Sequence, residues 1–236
     1  MSKTLNMTQG SPLRLLVRFA LPLMLGNVFQ QLYTVVDTAI VGKGAGILAL
    51  AALGCVDWLN WMMLGIAQGF TQGFSVRIAQ KFGEDNPSAL QIFMGQSSLV
   101  CAVLATVFTL LGQLLLPTFL LLLRVPPTLY PIAIRYSRIL FIGLPVVFFF
   151  NYCSAMLRAV GDSKTPLIAM AVASVANIVL DLIAVFPLQM GVAGAAIATV
   201  IGQWVAAILA LMEKHKLVTE GAGAVAVAAA MFHKVD

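Results

Sequence analysis

Charged side chains make up only 10% of this 236-residue chain and apolar ones 61%, against roughly 25% and 45–50% in soluble domains. That balance excludes water as the solvent of most of the chain. Histidine is nearly absent: His215 and His233 both lie near the C-terminus. A Ser–His pair at membrane depth is therefore missing, which excludes an intramembrane protease, and the chain is read as not an enzyme. The three cysteines, Cys55, Cys101 and Cys153, share no CxxC spacing, so neither a disulfide framework nor a zinc site is indicated and they are read as small buried hydrophobes. No basic run is interleaved with aromatics, which argues against nucleic acid; the net charge of +5 suits anionic lipid headgroups instead. No linker is long or polar enough to set off a soluble domain. No cleavable leader is expected, because Lys3, Arg14 and Arg18 precede an apolar segment too long for one.

What is present is a series of long apolar runs, at about 15–40, 48–76, 92–116, 129–157, 167–186 and 192–212. Each exceeds the roughly 18 residues that mark a membrane span, and only helices satisfy the backbone of such a run in lipid. The fold class is all-α integral membrane, a six-helix bundle over residues 1–216, with 217–236 read as a loose tail. Glycine and proline clusters separate the runs, as at Gly161-Asp162-Ser163-Lys164-Thr165-Pro166. Short connections make neighbours antiparallel. Lys and Arg concentrate on the side of both termini (Arg77, Lys81, Arg158, Lys164, Lys214), so the positive-inside rule predicts cytoplasmic ends. Small residues recur every four positions at Gly65, Gly69 and Gly73 and again at Gly194, Ala198 and Gly202, a spacing that lets helices approach closely. Pro22 and Pro145 each remove a backbone hydrogen bond and are expected to bend their helices.

Acids inside a span are costly and point to function. Asp181 lies well inside the fifth run, with Asn177 one turn earlier on the same face. Asp37 closes the first run, approached by Asn27, Gln30, Gln31, Tyr33 and Thr34. Thr199 and Gln203 share a face of the sixth run, and the Thr199 hydroxyl adds an oxygen to a carboxylate and an amide. Hard cations such as sodium take oxygen ligands of this kind, and the same cluster suits a proton that is bound and released. Asp57, flanked by Trp58, Asn60 and Trp61, reads as an interfacial anchor; Tyr136, between Arg135 and Arg138, fits either role.

Several stretches together resemble the multidrug and toxic compound extrusion (MATE) transporters. They are Gln30-Gln31-Leu32-Tyr33 with Val36-Asp37-Thr38-Ala39-Ile40-Val41-Gly42, Leu157-Arg158-Ala159-Val160-Gly161-Asp162-Ser163-Lys164-Thr165-Pro166, Asn177-Ile178-Val179-Leu180-Asp181, and Gly191-Val192-Ala193-Gly194-Ala195-Ala196-Ile197-Ala198-Thr199. The resemblance implies one lobe of a twelve-helix exporter that expels organic cations and other drugs from a bacterial inner membrane in exchange for sodium or protons, with no cofactor beyond the coupling ion. It implies a cation or proton site at Asp37, Asn177, Asp181 and Thr199, a substrate cavity lined by Gln30, Tyr33 and Tyr136, and a hinge at Pro22. One lobe leaves a cavity wall uncovered, so a second lobe or a second copy is the expected partner beside membrane lipids. The alternatives are a lipid-linked oligosaccharide flippase, which would present more basic residues to its cavity, and a fragment inactive in transport.

Overall fold

The computed structural model describes residues 12–84 and 87–212. Lys3, Lys214, both histidines and the tail at 217–236 lie outside the described residues. Seven helices follow one another: α1 (Pro12–Gly44), α2 (Ile47–Gly83), α3 (Pro87–Leu122), α4 (Tyr130–Ile142), α5 (Leu144–Ala159), α6 (Lys164–Val185) and α7 (Gly191–Met212), with no strand among the described residues. Five of them are long and apolar enough to cross a membrane, and α4 with α5, bent by 46°, passes the same test together, which gives six if the pair is one span. The first three helices outrun their apolar segments because hydropathy marks only the lipid-soluble stretch. Past residue 76, α2 continues through Arg77 and Lys81, and its end is closed by a Lys81–Glu84 ion pair of 2.7 Å.

The run at 129–157 was expected as one helix; it breaks at Gly143. Pro145 brings no N–H to the α5 start, and the N–H groups of Val146 and Val147 both turn to the Gly143 carbonyl, at 3.0 and 3.2 Å. Gly143 also lets α7 in close, since a Cβ there would sit 2.5 Å from Val200 Cγ2. The bend expected of Pro145 is thus real, and its pivot is the glycine two residues earlier.

The most extensive packing joins α6 to α7, followed by α1 on α6 and α2 on α5. The small-residue seam of α7 explains the first. Cβ atoms added at Gly194 and Gly202 would lie 2.9 Å from Ala184 Cβ and 3.1 Å from Asn177 Cβ, so the two backbones meet nearly without side chains between them. The α2 glycines behave differently, because Gly65, Gly69 and Gly73 have no neighbour within 4 Å and form an open stripe. One buried polar contact ties two helices: the Tyr152 hydroxyl donates to the Met94 carbonyl at 2.7 Å, joining α5 to α3. At the end of α5, Gly161 takes φ +86°, which favours glycine, and the Asp162 N–H closes the turn on the Leu157 carbonyl at 2.9 Å. Outward-facing leucines such as Leu114, 74% exposed, are what a lipid-facing surface requires.

Candidate functional site

On α1, Gln30, Tyr33, Thr34 and Asp37 fall at i, i+3, i+4 and i+7, so one polar stripe faces inward along the helix. The stripe forms one wall of a cavity of about 160 Å³. Asp57, Asn60 and Trp61 come to it from α2, Tyr136 from α4, and Thr199 and Gln203 from α7. Asn60 Oδ1 and Gln203 Oε1 are buried and without a hydrogen-bond partner, so the cavity holds unspent acceptors.

The packing of α1 on α6 brings the carboxyl groups of Asp37 and Asp181 within hydrogen-bonding reach of each other. Asp37 is 8% exposed and Asp181 is fully buried behind it. One oxygen of each, Oδ1, has no partner. Neither acid meets a basic side chain among the described residues. Two ionised carboxylates in contact repel strongly at low dielectric, so the pair is completed only by a shared proton or a bound cation. Asn177 extends the cluster. With its NH2 turned to the acid it donates to Asp181 Oδ2 at 3.2 Å, while its carbonyl accepts the Thr199 backbone N–H at 3.2 Å. The Thr199 hydroxyl donates to the Ala195 carbonyl at 3.0 Å, which leaves its oxygen as an acceptor toward the cavity. Beside these groups Tyr33, Asn177, Thr199 and Gln203 border a space of about 10 Å³, near the size of one water. Oxygen donors therefore dominate, and no group of three His, Cys, Asp or Glu suited to a transition metal occurs among the described residues.

The structure thus brings together Asp37, Asn177, Asp181 and Thr199, with Gln30, Tyr33 and Tyr136 in or beside the same cavity. Gln31 is exposed and does not border this cavity. Pro22 lies within an unbroken α1 and borders a different cavity, toward the α6 start. Asp57, Asn60 and Trp61, read as an anchor from sequence, stand instead in the cavity wall, while Trp58 turns outward, 82% exposed. Their i, i+3, i+4 spacing was the available signal; what it lacked was the direction in which α2 faces.

Comparison with known proteins finds similar sequences and folds over most of the chain. The family model MatE matches residues 22–183. The chain is 34% identical over 218 residues to "Probable multidrug resistance protein YpnP" of Bacillus subtilis (strain 168), covering 92% of this chain and 49% of that protein. Among solved structures it resembles a transporter of the MOP superfamily from Pyrococcus furiosus Vc1, described as having a binding pocket of reverse polarity, with a TM-score of 0.82 and 28% identity over 89% of this chain and 46% of the other. It resembles equally an outward-facing multidrug resistance MATE family transporter, with a TM-score of 0.81 and 29% identity over 89% and 47%. The chain spans about half the length of the curated relatives it matches.

Proposed function

The chain belongs to the MatE family, and from that premise we propose that it works as the N-terminal lobe of a multidrug efflux antiporter, exporting organic cations in exchange for sodium ions or protons. The single observation that carries the reading is the facing pair Asp37–Asp181, buried, without a basic partner, and with one free oxygen on each acid. A coupling cation is a substrate of such a protein. Sodium finds oxygens in Asp37, Asp181, Asn177 and Thr199; a proton finds two carboxyls that already share a contact. Either occupant neutralises the pair. The adjoining cavity, whose wall holds Asp37 and Asp57 with the aromatic faces of Trp61 and Tyr136, attracts a cationic organic molecule through charge and cation–π contact. Ion and cargo then compete for the same negative charge, and each favours the conformation that binds it better. Bending of α1 at Pro22 is the proposed means by which the cavity changes access.

The distribution of Lys and Arg supports cytoplasmic termini in a bacterial inner membrane. The open Gly65, Gly69 and Gly73 stripe on α2 supports close packing against a second lobe or a second copy. The test is export of a fluorescent cationic dye from cells expressing this chain, beside Asp37→Asn and Asp181→Asn with membrane insertion verified for each. The expected result is export by the parent chain and loss in both variants; export unchanged in either variant rejects the assignment.

A further inference from the structure

A second polar cavity, of about 280 Å³, lies where α1, α2, α5 and α6 converge, away from the two acids. Its chemistry is opposite to that of the first: among the described residues no Asp or Glu borders it, and its one charged side chain is Arg158. On α5, Asn151, Ser154 and Arg158 fall at i, i+3 and i+7 and face the cavity together; Gln68 and Gln72 answer from α2. Two features are unexplained by the fold. Ser154 is 2% exposed and its hydroxyl has no partner. Arg158 is half-buried and makes no hydrogen bond or ion pair among the described residues. The nearby acid, Asp162, is committed elsewhere: its Oδ1 accepts the Lys164 and Thr165 N–H groups at 3.2 Å each, its Oδ2 accepts the Thr165 hydroxyl at 2.7 Å, and it does not border the cavity. Arg158 in the last turn of α5 does favour the helix dipole. That role leaves the buried Ser154 hydroxyl unaccounted for.

We propose that this cavity is an anion site that receives a phosphate group, with Arg158 as its charged ligand and Ser154 as a hydroxyl donor. A guanidinium fork directed into a space with no counter-charge binds phosphate oxygens in pairs. Arg158, Ser154 and the amides of Gln68 and Gln72 together offer more donors than the roughly four lone-pair sites of a carboxylate accept, which favours phosphate. Arg158 also stands in the final turn of α5, and a basic side chain at the end of a spanning helix is suited to lipid phosphates. The phosphate comes either from an anionic lipid headgroup or from a soluble phosphate, and the two sources are separable by experiment. This inference is independent of the ion site, and its outcome leaves the antiport reading untouched.

The experiment is thermal unfolding of the purified chain in a neutral detergent, titrated with inorganic phosphate, with short-chain phosphatidylglycerol, and with chloride at matched ionic strength. The expected result is a saturable rise in Tm with at least one phosphate-bearing probe and none with chloride. Arg158→Gln should weaken the apparent affinity by about tenfold or more, the range for a lost charge-assisted hydrogen bond, and Ser154→Ala should weaken it by a few-fold. A response to phosphatidylglycerol alone identifies a headgroup site, and a response to inorganic phosphate alone a soluble ligand. The proposal is overturned if neither probe exceeds chloride, or if both variants titrate like the parent. Should Arg158→Gln not fold, Ser154→Ala decides, since it removes only an unpartnered hydroxyl; an unchanged midpoint in that variant overturns the proposal.

Discussion

Gly194→Ala should destabilise this chain, whereas Gly69→Ala should not, although both glycines belong to four-residue small-residue repeats. At Gly194 an added Cβ would meet Ala184 Cβ at 2.9 Å, Met190 Cβ at 2.9 Å and the Ala184 carbonyl oxygen at 3.2 Å. Comfortable carbon contacts lie at about 3.5–4.0 Å. Because the atoms met are Cβ and main-chain atoms, no rotamer change relieves them, and α7 must retreat from α6 by several tenths of an ångström. Overpacking of this kind costs about 1–3 kcal/mol. Alanine recovers at most about 1 kcal/mol of helix propensity, and less in the first turn of a helix. The net expectation is a loss of about 1–2 kcal/mol. At Gly69 nothing lies within 4 Å, so only the propensity gain remains, up to about 1 kcal/mol. The assay is unfolding of each purified variant by a denaturing detergent in mixed micelles, read by helix content and by tryptophan emission. Gly194→Ala as stable as the parent, or Gly69→Ala less stable than Gly194→Ala, would refute the packing argument.

Gly143→Ala should lose about 1–3 kcal/mol through its clash with Val200, and adding Val200→Ala should recover most of it; a double-mutant cycle measures the coupling. Asp162→Ala removes an acceptor for the Lys164 and Thr165 N–H groups and should cost about 1–2 kcal/mol, visible as a lower unfolding midpoint. Asp181→Asn replaces a facing carboxyl pair by a carboxyl–amide pair that can hydrogen-bond directly. In cation-poor buffer its Tm should therefore rise above the parent's, and an equal or lower Tm contradicts the view that the pair awaits an occupant.

Much of the architecture was legible in the sequence because lipid enforces simple rules. Long apolar runs must be helices, and an acid within one must find company, which is why Asn177 and Asp181 pointed inward before any coordinates. The seam on α7 was legible for the same reason, as Gly194, Ala198 and Gly202 share one face. Direction was harder to read. The polar residues of α2 make no single amphipathic face, so no pattern told which way Asp57, Asn60 and Trp61 face, and they stand in a cavity wall. The pivot at Gly143 depends on Val200, 57 positions away, and long-range contacts of that kind leave no local trace. The cavity around Arg158 escaped notice because its lining comes from four helices whose polar residues look isolated along the chain.

The central claim is that Asp37 and Asp181 together hold the coupling cation. Its most direct test is ion binding by the purified chain, as sodium uptake at equilibrium and as protons released when a cationic dye is added in weak buffer. The account predicts one saturable sodium or one released proton per parent chain, and neither in Asp37→Asn or Asp181→Asn. Uptake and release unchanged in both variants would contradict it.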